Sequence, residues 1–90
     1  MKIVLSSKFK KQLVSIIDYI AKDKKTAAQN FKSELQLKVT QLATFPKKCR
    51  KSYYADNENI RDLIFKGYTV VYEISENTIY VLDIFKWQDK

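Results

Sequence analysis

Between residues 47 and 54 the chain reads KKCRKSYY, four cations and two phenol rings in eight positions, and Arg61 follows a short polar stretch later. Lys47, Lys48, Arg50 and Lys51 suit phosphate oxygens, and Tyr53 and Tyr54 suit base faces, a pairing that holds single-stranded nucleic acid. The same cations could stabilise the charge that develops on a phosphorane when an RNA 2′-hydroxyl attacks its own phosphodiester. The segment also admits a plainer assignment, a solvated loop leading into a strand whose tyrosines pack inward. Proton transfer is the weak point of any catalytic reading. With no histidine in the chain, it would fall at neutral pH to a strongly shifted Lys or Tyr, or to a carboxylate.

The absence of histidine and the single cysteine, Cys49, exclude zinc-finger sites and triads with a histidine base. No metal and no cofactor is expected. Cys49 cannot form an internal disulfide and is most simply a bystander. Seventeen Lys and Arg against ten Asp and Glu give a net charge of +7 and a pI near 9.5. That balance favours a polyanionic partner, either nucleic acid or an acidic protein. Ninety residues, 46% of them hydrophobic, suffice for one core, so residues 1–90 are expected to form a single domain. Apolar runs such as Ile79 to Leu82 are too short to cross a bilayer, and MKIVLSSKFKK lacks the apolar centre of a signal peptide. A cytoplasmic protein is expected.

The elements that would position these residues follow from periodicity. Met1 to Leu5 reads as a short strand, and Ser6 or Ser7 can cap the helix that follows. Phe9, Leu13, Ile16, Ile17 and Ile20 recur at helical spacing, with Lys8, Lys11 and Lys22 off the stripe. A polar connection, KDKKT, leads to a second stripe of Ala28, Phe31, Leu35, Val39 and Leu42, closed by the only proline, Pro46. The two helices should pack as an antiparallel hairpin. Leu37 lies about 200° round the helix from Leu35. It is either an isolated exposed leucine or the edge of a partner groove.

From Ile60 the period becomes two. Lys66-Gly67 is placed for a tight turn, because glycine supplies a positive φ that a Cβ resists. Beyond it Tyr68, Val70, Tyr72 and Ile74 share the better core face, and Thr69, Val71 and Glu73 the other. SENT supplies a second turn, and TIYVLDIF a nearly continuous apolar strand. Asp83 interrupts it and is expected to pair with a Lys or Arg, since an unpaired buried charge is costly. The fold class is therefore α+β. Its order is β-α-α-β-β-β, with a helix hairpin on one face of a mainly antiparallel four-stranded sheet.

This order, the basic segment after the hairpin, and Arg61-Asp62-Leu63-Ile64-Phe65-Lys66-Gly67-Tyr68 continuing through Val70, Val71 and Tyr72 resemble the RelE/ParE superfamily of bacterial toxins. The resemblance covers almost the whole chain and implies a type II toxin with two possible mechanisms. RelE-like members cleave messenger RNA in the ribosomal A site, whereas ParE-like members poison DNA gyrase. Both imply a small cognate antitoxin encoded beside the toxin.

Carried over residue by residue, the resemblance favours the ParE-like branch. Where RelE-like ribonucleases often carry an arginine after the Gly-Tyr pair, this chain has Thr69, and beyond Lys86 it reads only Trp87-Gln88-Asp89-Lys90. Trp87 can stack but cannot act as an acid or base. Arg61 stands next to Asp62, which is expected to neutralise it in part. Were the protein a ribonuclease, Arg61, Lys51, Lys48 and Tyr54 would be the catalytic candidates. As a binding toxin it would meet its target, or nucleic acid, through Lys47, Lys48, Arg50, Lys51, Arg61, Lys86 and Trp87. Lys10, Lys11 and Leu37 would meet an apolar, partly acidic antitoxin segment, which could also add a strand to the sheet. The leading expectation is inhibition of a target such as DNA gyrase by binding. The alternatives are a ribosome-dependent messenger RNA endonuclease and a nucleic-acid-binding domain without toxicity.

Overall fold

The computed structural model describes residues 1–86. Strand β1 (Lys2–Leu5) leads into helices α1 (Ser7–Asp23) and α2 (Lys25–Gln41), and β2 (Arg50–Lys51), β3 (Ile60–Phe65), β4 (Tyr68–Ser75) and β5 (Thr78–Lys86) follow. The sheet runs β1-β5-β4-β3-β2. All pairings are antiparallel except that of β1 with β5. The sheet thus has five strands rather than the expected four. The addition is the two-residue β2, too short to leave an alternating pattern in the sequence.

Ser6 is the helix cap. Its Oγ accepts from the Phe9 N–H at 3.0 Å and donates to the Leu82 carbonyl at 2.7 Å, so one hydroxyl fixes the start of α1 and ties it to β5. The helices are separated by Lys24 alone, in extended conformation with φ −156°, so the break is tighter than the expected KDKKT connection. Every residue of the α2 stripe is buried, and from α1 Phe9 is buried while Leu13, Ile16, Ile17 and Ile20 pack partly exposed against the core. Across from them stand Leu63 and Phe65 of β3, Val70 and Tyr72 of β4, and Ile79, Val81 and Ile84 of β5. The Phe31 ring meets Phe65 and Tyr68 edge-on at 5.1 and 5.4 Å.

The expected core face of β4 is the helix-facing one. A register shift between Val71 and Tyr72 opposes them to Asp83 and Val81, leaving Leu82 as the extra residue of β5. The helix-distal face is covered as well: Asp62 and Thr69 are buried there to within 1% of full exclusion.

Both hairpins use two-residue turns with left-handed backbone, Lys66-Gly67 at φ 49° and 85° and Glu76-Asn77 at 47° and 62°. A Cβ at Gly67 would meet nothing within 4 Å, so only backbone conformation penalises a substitution there. Gly67→Val should lower stability by more than about 1 kcal/mol. Gly67→Asn should cost much less, since asparagine tolerates this region and Asn77 already occupies it. Urea denaturation of the two variants checks this, and an unchanged midpoint for the valine variant would refute it.

Candidate functional site

The basic segment is held by two side chains that face one another across β3 and β4. Arg61 and Tyr72 are register partners and point to the helix side of the sheet. The Arg61 guanidinium donates from Nη1 to the carbonyls of Lys47 at 3.2 Å and Cys49 at 2.9 Å, and from Nε to that of Glu58 at 3.2 Å. The Tyr72 hydroxyl donates to the Pro46 carbonyl at 2.7 Å. A connection rich in lysine thereby has its backbone acceptors satisfied from beneath. The side chains of Lys47 and Lys48 remain exposed.

Burial, then contact with the Cys49 thiol, push the Tyr72 phenol well above its ordinary value, an effect that the Arg61 charge opposes. Tyr72 therefore stays protonated through the physiological range as a fixed donor. The expected partial neutralisation of Arg61 by Asp62 does not occur. Adjacent strand residues point to opposite faces, and Asp62 lies on the helix-distal side, where its Oδ2 is 3.5 Å from Arg50 Nη2 and accepts from the Tyr53 N–H at 3.2 Å. Arg50 is also the cross-strand partner of Asp62, and Lys51 that of Arg61. The cluster that looks continuous in sequence is therefore split, Arg50 to one side of the sheet and Lys51 to the other.

On the helix-distal face Asp62 and Asp83 both flank Val71, and each carboxylate meets a cation, Asp83 pairing with Lys8 at 3.1 Å. The expectation that Asp83 is paired holds. Tyr54 turns its ring edge-on to Phe85 at 5.2 Å, and Phe85 is the strand partner of Thr69. Thr69 is fully buried and its Oγ1 has no hydrogen-bond partner. The position where the resemblance led one to look for a phosphate-binding arginine is thus an interior position. Beside it, Lys8, Ser52, Tyr54, Val71, Asp83 and Phe85 line part of a shallow cavity of about 280 Å³.

The remaining candidates are dispersed. Lys86 ends β5 exposed, and Trp87 lies outside the described residues. Lys10 and Lys11 are exposed on α1, and Leu37 is 60% exposed on α2. An apolar groove of about 360 Å³ runs between β1 and the helices, lined by Leu5, Phe9, Leu13, Leu35 and Val39 among others, with Lys32 as its cation. Leu37 does not line it. Among the described residues no group of three or more His, Cys, Asp or Glu could hold a metal ion, and no helix is long and apolar enough to cross a membrane.

What sequence reasoning missed was the structural use of Arg61 and Tyr72. The available signal was alternation, which separates Arg61 from Asp62 and places Arg61 on the face of Tyr72. Nothing in the sequence marks the carbonyls that they meet.

Compared with known proteins, residues 3–89 match the family model described as ParE toxin of type II toxin-antitoxin system, parDE. Among solved structures, the chromosomal ParDE TA system from P. aeruginosa is similar at a TM-score of 0.77 and 18% identity, over 96% of this chain and 95% of that one. No curated protein sequence matches the chain.

Two outcomes follow from this geometry. The unfolded chain ionises Tyr72 near 10.0 while the folded chain retains the proton, so stability should be full below pH 10 and fall as pH rises beyond it. Tyr72→Phe should flatten that decline in alkaline denaturation curves while costing about 1 kcal/mol at neutral pH through the lost hydrogen bond. On the opposite face of β4, Thr69→Val removes a buried hydroxyl without a partner and should raise stability by about 1 kcal/mol. Thr69→Arg should instead lower it by more than about 3 kcal/mol. Thermal melts of the pair test this, and a well-folded arginine variant would overturn the assignment of Thr69 to the interior.

Proposed function

Since the chain belongs to the family of ParE toxins of type II toxin–antitoxin systems, we propose that it arrests growth in the cytoplasm by binding and inhibiting DNA gyrase. The observation that carries this reading is the engagement of Arg61. A ribonuclease of the superfamily needs cations presented to a scissile phosphate, and here the strongest such candidate spends three donors on backbone carbonyls. The interior placement of Thr69 and the suppressed ionisation of Tyr72 support the same conclusion. Neither the missing cation nor a proton carrier is replaced at those positions. Lys47, Lys48, Lys51 and Lys86 are all exposed, and they supply steering and contact charge to an acidic or nucleic-acid-bound target.

The partner that neutralises the toxin is its cognate antitoxin. The groove between β1 and the helices suits apolar side chains of that partner. β1 ends the sheet, so an extended antitoxin segment can pair with its outer edge. Acidic residues beside that segment would meet Lys32 and the lysines of α1, Lys10 and Lys11. Leu37 would contact the antitoxin only if it reaches round α2.

The test uses the purified chain with gyrase and supercoiled DNA and, separately, with translating ribosomes. Loss of supercoiling activity is expected, relieved by the antitoxin less effectively as salt rises, with translated messages left intact. Codon-positioned cuts on those messages, with gyrase unaffected, would overturn the proposal in favour of a ribosome-dependent endonuclease.

A further inference from the structure

Among the described residues Tyr53 is the most exposed of the large hydrophobic and aromatic side chains, at 72%, although one face of its ring is covered by Arg50, whose guanidinium carbon lies 3.8 Å from the ring centroid. With that face occupied, the exposure belongs to the opposite face and the edge. The stack is not a chance meeting of two flexible side chains. Arg50 is also drawn to the fully buried carboxylate of Asp62, 3.5 Å away. The Tyr53 backbone N–H donates to the same Oδ2. One buried carboxylate therefore anchors the Arg50 guanidinium and the Tyr53 backbone, and the ring is presented to solvent with its inner face already stacked.

We propose that the outer face of Tyr53 is a stacking site for one base of a single-stranded nucleic acid, with Arg50 behind the ring and the exposed Lys47 and Lys48 of the preceding connection taking phosphates. This goes beyond the toxin's action on gyrase and does not depend on which protein it inhibits. The chemistry selects the ligand. An aromatic face carries partial negative charge and does not attract a carboxylate, so an acidic protein would gain from the lysines and nothing from the ring. A base gains from both, through its π-face and through the phosphates that accompany it. A duplex offers phosphates but keeps its base faces stacked on one another, so it can use only the lysines.

Fluorescence anisotropy of a labelled oligothymidylate with the purified chain tests this. Binding should weaken with salt, and Lys48→Ala should reduce the salt slope by about 0.7, the loss of one phosphate contact on a single strand. Tyr53→Ala and Tyr53→Leu should each weaken binding roughly 5- to 150-fold, the loss of one stacked base, while Tyr53→Phe retains it. Because Tyr53 is a surface residue, circular dichroism should show all three variants folded. The leucine variant separates loss of the π-face from loss of apolar volume. A duplex of matching length should bind more weakly and be indifferent to all three changes. The proposal fails if the oligothymidylate does not bind, if Tyr53→Ala binds as tightly as the wild type, or if duplex or polyglutamate shows the same sensitivity to Tyr53.

Discussion

Four backbone carbonyls, those of Pro46, Lys47, Cys49 and Glu58, turn toward the sheet, and two side chains facing each other across it, Arg61 and Tyr72, satisfy them all. A connection between a helix and a strand that carries Lys47, Lys48 and Arg50 would otherwise be held open by its own charge. Clamped in this way it delivers Arg50 and Lys51 to the edge of β3 in register. The position of the buried Asp62 contact, and so of the Arg50–Tyr53 stack, depends on that delivery.

The sheet divides labour between its faces. The helix side is filled by aliphatic and aromatic residues of both helices and three strands, with Tyr72 as its largest fully buried member. The distal side holds Asp62, Asp83 and Thr69 beneath a loop that closes through the Ser52 N–H to Ile60 carbonyl bond at 2.8 Å and the Ile74 N–H to Asn59 carbonyl bond at 2.8 Å. Its two carboxylates meet Arg50 and Lys8, brought in from the periphery. In both layers the polar groups that might have done chemistry are engaged in holding the chain in place. The remaining positive charge lies on exposed lysines.

Much of this architecture could be read from periodicity. Helical spacing marked Phe31, Leu35, Val39 and Leu42, and alternation marked Val70 and Tyr72, because burial on one face is a local property repeated along an element. The turn at Gly67 was legible because glycine has a conformational reason to be there. The turn at Asn77 was legible from SENT, but without a glycine to mark its left-handed residues. The two-residue β2 and the register shift at Val71 were not legible, since neither repeats. At the candidate site the residue types were found but not their tasks. Arg61 looked like a cation in need of an anion, and its partners are main-chain oxygens, which every sequence contains everywhere. Thr69 was noticed for what it lacks, whereas its burial depends on Phe85, a strand away.

The parallel pairing of β1 with β5 also sets a timetable for synthesis. Ser6 and Leu82, joined by a hydroxyl-to-carbonyl bond, are 76 residues apart along the chain. At 5–20 residues per second a ribosome takes roughly 4 to 15 s to make that interval. Throughout it β1 has no strand to pair with, and the Ser6 hydroxyl that caps α1 lacks its second partner. A nascent chain thus carries its apolar N-terminal strand unprotected until β5 appears, and a chaperone or an already folded partner has its longest opportunity to engage the toxin at that edge.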